Sequence, residues 1–336
     1  SSDTDGSRST AVGQGSLTTQ NFTTSTNAYN VALGYSAGYS VTTGEYNTLL
    51  GSNSGDAITT GDYNVALGYE SLGVLQTGGS NVALGSFALG GGNLGSKSVA
   101  VGHSALYDQN PSTATDMYNT GVGYFTGTNI TTGQYNTLIG GESGDTLTTG
   151  SYNVGLGYKS LETLQVGTLN VALGSFALGG GNLGSKSTAV GHSTLFDQNP
   201  TTATDMHNTA VGYFAGTNVT EGVSNTLIGS EAGDALTHAD FNVAIGHESL
   251  SADTQGSNSV AVGMGTLFNQ NFTTATTVYN TAVGHAAGNQ ITTAVQNTIM
   301  GGLAGDALTT GGENVAIGVL ALSTEDTGRK NVAVGT

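Results

Sequence analysis

The chain has 336 residues with 55 Gly, 2 Pro, and neither Cys nor Trp, which sets it apart from an average enzyme domain and excludes a disulfide framework or a thiolate metal site. Acids outnumber bases 23 to 6, a formal net charge of −17, which argues against nucleic acid and an anionic membrane surface as partners, whereas a cation or a neutral glycan stays compatible. No apolar run approaches the length of a membrane span, no insertion into a membrane is expected of this segment, and no motif calls for a cofactor.

Taken in chain order, the opening SSDTDGSRST lacks both a Met and an apolar signal core and reads as a processed product or an excerpt of a longer fibre. From Ser9 onward the pattern [NS][VT]xxG recurs nineteen times, the last unit opening at Asn331. Successive units start 17 residues apart except at four places, 9 to 30, 98 to 119, 187 to 208 and 259 to 280, where the interval is 21. NVALGSFALGGGNLGSK stands at 81–97 and again at 170–186, 89 residues on, the length of one long unit and four short ones. Recent duplication is the simplest origin. The next copy spans 72 residues and has lost one short unit, so a single continuous repeat domain over 1–336 divides into super-repeats of roughly 9–97, 98–186, 187–258 and 259–336.

Each unit predicts one coil. Val31-Ala32-Leu33 and its equivalents are strand formers, and the fifth residue is Gly in all nineteen units, suiting a bend that needs positive φ or close approach. A second short segment such as SFAL and a Gly/Thr turn complete the coil, while the regular Gly leaves no helical periodicity. The expected fold is all-β, a parallel β-solenoid of about nineteen 17- or 21-residue turns. At roughly 4.8 Å per turn it would form a rod on the order of 90 Å long. The ninth residue alternates in blocks, Gly38 and Gly55 followed by Leu72, Leu89 and Leu106. Val31 and Leu33 on one strand face and Ala32 on the other imply a strand buried on both sides, which a closed cyclic oligomer would satisfy, although Ala facing water is also tolerable in a tight coil.

NVALGYSAG, NTAVGYFAG and NTLIGSEAG resemble the head repeats of trimeric autotransporter adhesins. The longer TTGEYNTLLGSNSGDAITTGDYNVALGY is similar to repeats of phage tail-fibre-like and bacterial surface fibre proteins, and the likeness extends over all nineteen units. The resemblance implies a left-handed β-roll, a homotrimer, and a structural or adhesive role outside the cell, on a virion tail fibre or a bacterial surface. The 17-residue period and Thr-Thr-Gly turn depart from the shorter adhesin head repeat, and no stalk, anchor or C-terminal chaperone segment is present in these residues.

The four long units carry the candidate binding residues: Gln20 and Asn21; Tyr107, Asp108, Gln109 and Asn110; Phe196, Asp197, Gln198 and Asn199; Phe268, Asn269, Gln270 and Asn271. As projecting loops they would present amides and aromatic rings to a cell-surface glycan or receptor at intervals of roughly 20–24 Å. The plainer alternative makes them longer turns, with Pro111 and Pro200 for rigidity. The Asn that opens fifteen units is expected to form a stacked amide column, and the ring before it, at Tyr29, Tyr46, Tyr63, Tyr118, Tyr135, Tyr152, Phe241 and Tyr279, to stack likewise.

No catalytic motif survives inspection, and the reading is non-enzymatic. GYSAG at 34–38 matches a nucleophile elbow, but the same columns read GSNSG at 51–55 and GYFTG at 123–127. His103 and His192 share a column, as do Asp56, Asp145, Asp234 and Asp306, without any metal-binding motif. Three function classes follow: an adhesive fibre segment; an ice-binding solenoid, whose Thr pairs at Thr42–Thr43 and Thr59–Thr60 are interrupted in the Leu-type units; and, least favoured, a glycan-cleaving solenoid, which lacks an evident unique carboxylate pair.

Overall fold

The computed structural model describes residues 6–336, which contain strands and turns and no helix. They form two compact units, 6–168 and 169–336, and in each the chain winds as a parallel β-solenoid. The nineteen predicted turns are present, nine starting in the first unit and ten in the second. Each contributes a three-residue strand, such as Val31–Leu33, Thr48–Leu50 or Val65–Leu67, and within each unit neighbouring turns pair through these strands. Register is strict: Ala32 faces Leu49, and Leu49 faces Ala66. The sheet is therefore a ladder that climbs turn by turn.

The invariant Gly ends the strand for both reasons anticipated. Gly51 has φ 136, and a Cβ there would lie 2.4 Å from the carbonyl oxygen of Gly68 in the next turn. Backbones this close leave room only for hydrogen. Past that corner the coil tightens through three further left-handed residues, the seventh, ninth and last of each turn, as at Asn53 (φ 54), Gly55 (φ 56) and Tyr63 (φ 57). Non-Gly residues there cost about 1–2 kcal/mol each, offset by turn-to-turn backbone hydrogen bonds outside the strands, such as Gly38 N to Ser54 O (2.9 Å) and Thr42 N to Thr59 O (2.9 Å).

The interior explains the blocks at the ninth position. Where the third residue is large, as at Leu49, the ninth is Gly55; where the third is Ala66, the ninth is Leu72, and all of these are buried. Turns small at both places borrow volume from their neighbours: a Cβ on Gly38 would meet Leu17 at 2.9 Å and Leu49 at 2.8 Å. The third and ninth positions together hold one large side chain per layer, beside the large residue that the twelfth position adds, such as Ile58 or Leu75. The sequence implied a strand buried on both sides; in the single chain Ala32 is fully buried inside, while Val31 and Leu33 remain 39% and 48% exposed on the outer side.

Candidate functional site

In each unit Asn side chains run up the inside as a column. Asn47 Oδ1 accepts from Asn64 backbone N (3.0 Å) and Asn64 Nδ2 (3.1 Å), and Asn47 Nδ2 donates to Gly61 O (2.9 Å). The same hand-off repeats at Asn136–Asn153 and Asn225–Asn242. These groups are buried and mutually satisfied, so the column is scaffold rather than a ligand array.

Long turns open with Ser, which is too short to continue that column, and the loop glutamine replaces it. Gln109 Oε1 accepts from Ser98 Oγ (3.1 Å) and Asn119 Nδ2 (2.9 Å), and Gln198 Oε1 does the same for Ser187 (3.0 Å) and Asn208 (2.9 Å). Gln20 and Gln270 accept from Asn30 (3.1 Å) and Asn280 (2.9 Å). All four glutamines are buried. The expectation that Gln20, Gln109, Gln198 and Gln270 project is thereby corrected: each amide points inward because the ladder would otherwise lack an acceptor. A signal for this was available, since Gln109 is the twelfth residue of its turn, where Ile58 and Leu75 fill the core in short turns.

The remaining candidates scatter. Asn21, Asn110, Asn199 and Asn271 are exposed; Tyr107, Asp108, Phe196, Asp197, Phe268 and Asn269 are half-buried on the wall beside the loop. Phe22, Pro111, Pro200 and Phe272 tuck inward, and the chain then returns as a two-residue strand on the preceding turn, Thr115–Asp116 against Gly95–Ser96 for example. What projects is the tip between them, Ser112-Thr113-Ala114 and Thr201-Thr202-Ala203 in two of the loops.

On the outside, aromatic rings form two kinds of column. Tyr29, Tyr46 and Tyr63 stack at 5.2 and 4.9 Å, and Tyr118, Tyr135 and Tyr152 at 5.1 and 4.8 Å. Each stack begins on a cation: Arg8 lies over Tyr29, and Lys97 over Tyr118, bound also to Asp116 at 2.7 Å, so that the ammonium pKa is pushed up by the carboxylate. In the other column, His103 sits between Phe87 (5.7 Å) and Phe125 (5.4 Å), and His192 between Phe176 (5.8 Å) and Phe214 (5.6 Å).

The Asp column is partly buried, which raises the pKa of Asp56, Asp145 and Asp234; neighbouring carboxylates add to it, Glu70 at Asp56, Glu142 and Glu162 at Asp145, Glu231 and Glu248 at Asp234. Asp234 accepts from Ser251 Oγ at 2.6 Å. Among the described residues no three His, Asp or Glu side chains are grouped to hold a metal ion, and no helix is long and apolar enough to cross a membrane. Ser36 of GYSAG has φ 54, a value shared by the seventh residue throughout, so its backbone is that of the repeat. The first Thr of each pair donates its hydroxyl to the next turn, Thr42 to Thr59 O (3.1 Å) and Thr59 to Gln76 O (3.1 Å), which removes one hydroxyl row from any ice-facing array.

No protein-family model matches this chain, and no curated protein or solved structure matches it either.

Proposed function

We propose that this chain is a non-enzymatic structural and adhesive segment of a homotrimeric extracellular fibre, of the kind carried on a phage tail or a bacterial surface. The observation that carries the reading is the outer face of the strand ladder. Val31, Leu33, Val65 and Leu67 in one unit, and Ile228, Ile245, Met300 and Ile317 in the other, are 36–50% exposed at equivalent strand positions. A continuous apolar column of this kind marks an interface rather than a solvated wall, and three copies placing it against one another would bury it. The likeness of NVALGYSAG to trimeric adhesin heads supports the same arrangement.

Light scattering of the intact chain tests it, with three chain masses as the expected result. Replacing Leu33 and Leu67 together by Asp should give a folded monomer, because the buried Ala ladder behind them is untouched. A wild-type monomer overturns the proposal.

A further inference from the structure

Of the three long turns that follow another turn, opening at Ser98, Ser187 and Ser259, the last differs from the other two at the residues that flank it. The seventh residue of the turn preceding each long turn is Phe87, Phe176 and Glu248 in succession; in the turn following, it is Phe125, Phe214 and Ala286. In the first two copies these phenylalanines close on the intervening histidine. In the third, Met264 replaces the histidine and both rings are gone, leaving a cavity of about 340 Å³. Small-molecule sites begin at roughly this size, about 300 Å³.

Its lining has a definite chemistry. Met264 and Phe268 supply apolar surface, and Asn269, Gln290, His285 and Glu248 supply polar groups. Gln290 donates through Nε2 to Asn289 Oδ1 at 2.8 Å, which leaves its Oε1 as an acceptor, and the half-buried Asn269 amide makes no side-chain hydrogen bond among the described residues. Lys and Arg are absent from the lining. An anion would meet Glu248 with no fixed cation to balance it, and an ammonium would leave the Asn269 donor unpaired. Hydroxyl groups donate and accept alike, and a pyranose ring also offers C–H faces to Met and Phe. We propose that this cavity binds one neutral hexose ring, such as the terminal residue of a glycan.

The inference deepens the adhesive part of the proposed function and rests on it. The cavity is built from the sixth, seventh, tenth and eleventh residues of its turns, past the Gly corner, whereas the apolar column occupies the second and fourth. Packing along that column therefore leaves the cavity accessible.

The test uses the full chain and a panel of methyl α-glucoside, methyl α-galactoside and methyl α-mannoside, read by saturation-transfer NMR. At least one should show transfer with the wild type and lose it in the E248F/A286F double variant. That variant installs the side chains which Phe176 and Phe214 already place at φ 60 and 54, where Glu248 and Ala286 have φ 54 and 52, so the fold is expected to survive. Asn269→Ala, which removes no internal hydrogen bond, should also abolish transfer and serves if the double variant does not fold. Silence across the panel overturns the proposal, as does undiminished transfer in the filled variant. Light scattering on the same samples reads subunit number separately, so failure of the fibre reading and failure of this one give different signals.

Discussion

In the turn that opens at Asn47 a single side chain, attached at the start of the strand, carries the amide column to the next turn. In the turn that opens at Ser98 the acceptor arrives from Gln109, 11 residues along the chain, reaching inward from the base of a loop. Both routes deliver an amide oxygen to the Nδ2 of the following Asn, and the oxygen of Asn47 accepts from the backbone N of Asn64 as well. The difference shows that the coil conserves a hydrogen-bonding position rather than a residue, and that four additional residues are absorbed once that position is filled. A ladder of this sort constrains atoms more tightly than sequence.

The largest effect should come from what the two kinds of turn share. Gly51→Ala and Gly102→Ala put a methyl 2.4 and 2.2 Å from a carbonyl oxygen of the neighbouring turn, at φ 136 and 133. Each should cost about 3 kcal/mol or more, equally in short and long turns; a clear inequality in urea unfolding would break the equivalence. Next comes the column itself. Asn47→Ala strands the buried donors of Asn64 and should cost about 2–4 kcal/mol, and Gln109→Leu about 1–3 kcal/mol, with amide exchange accelerated in adjoining turns first. The comparison is sharpened by Ser98→Asn in the Gln109→Leu background, which supplies the missing oxygen from the strand side and should recover most of the loss. Strict additivity would mean the two routes are not interchangeable.

A smaller effect concerns the last of the four long loops, against which Asp253 of the preceding short turn is buried, accepting from Gln270 Nε2 (2.6 Å), Phe272 N (3.0 Å) and its own turn's Gly256 N (3.0 Å). Burial raises its pKa and these hydrogen bonds oppose the rise without cancelling it. The folded state thus holds a proton that the unfolded chain has released, so stability is greatest below the ordinary carboxylate value and falls as pH climbs through the raised one. Asp56, Asp145 and Asp234 act in the same direction. The melting midpoint should therefore drop from mildly acidic to neutral pH, and Asp253→Asn should flatten part of that slope; an unchanged slope would place the carboxylate in contact with water. The smallest effect belongs to the outer stack. Tyr46→Ala should cost about 0.5–1.5 kcal/mol, and Tyr46→Gly less, because Gly relieves the left-handed backbone at φ 56 while losing the same ring contacts.

Much of the coil was legible because its determinants are local and repeated. The Gly corner, the Asn column and the Tyr stacks each follow from one residue type recurring in one column, and no other fold reads that period so simply. The loops were less legible, since an amide looks the same in sequence whether it faces water or replaces a missing neighbour inside; Gln109 and Asn110 are adjacent, yet one is buried and the other exposed. The cavity beside Met264 was less legible still. It arises from rings that are missing at positions 248 and 286, and only the packed copies around His103 and His192 show what their absence leaves open.

An interior that gives many places to Ala, Ser and Asn beside its leucines exposes less hydrocarbon and more amide when it opens than a core of large side chains alone. Apolar hydration raises the heat capacity of an unfolded chain and polar hydration lowers it, so the increment here should fall below the usual figure of about 12–15 cal/mol/K per residue. A small increment means a shallow dependence of stability on temperature. The stability curve of the coil would then bend less between near freezing and well above ambient than that of an ordinary core.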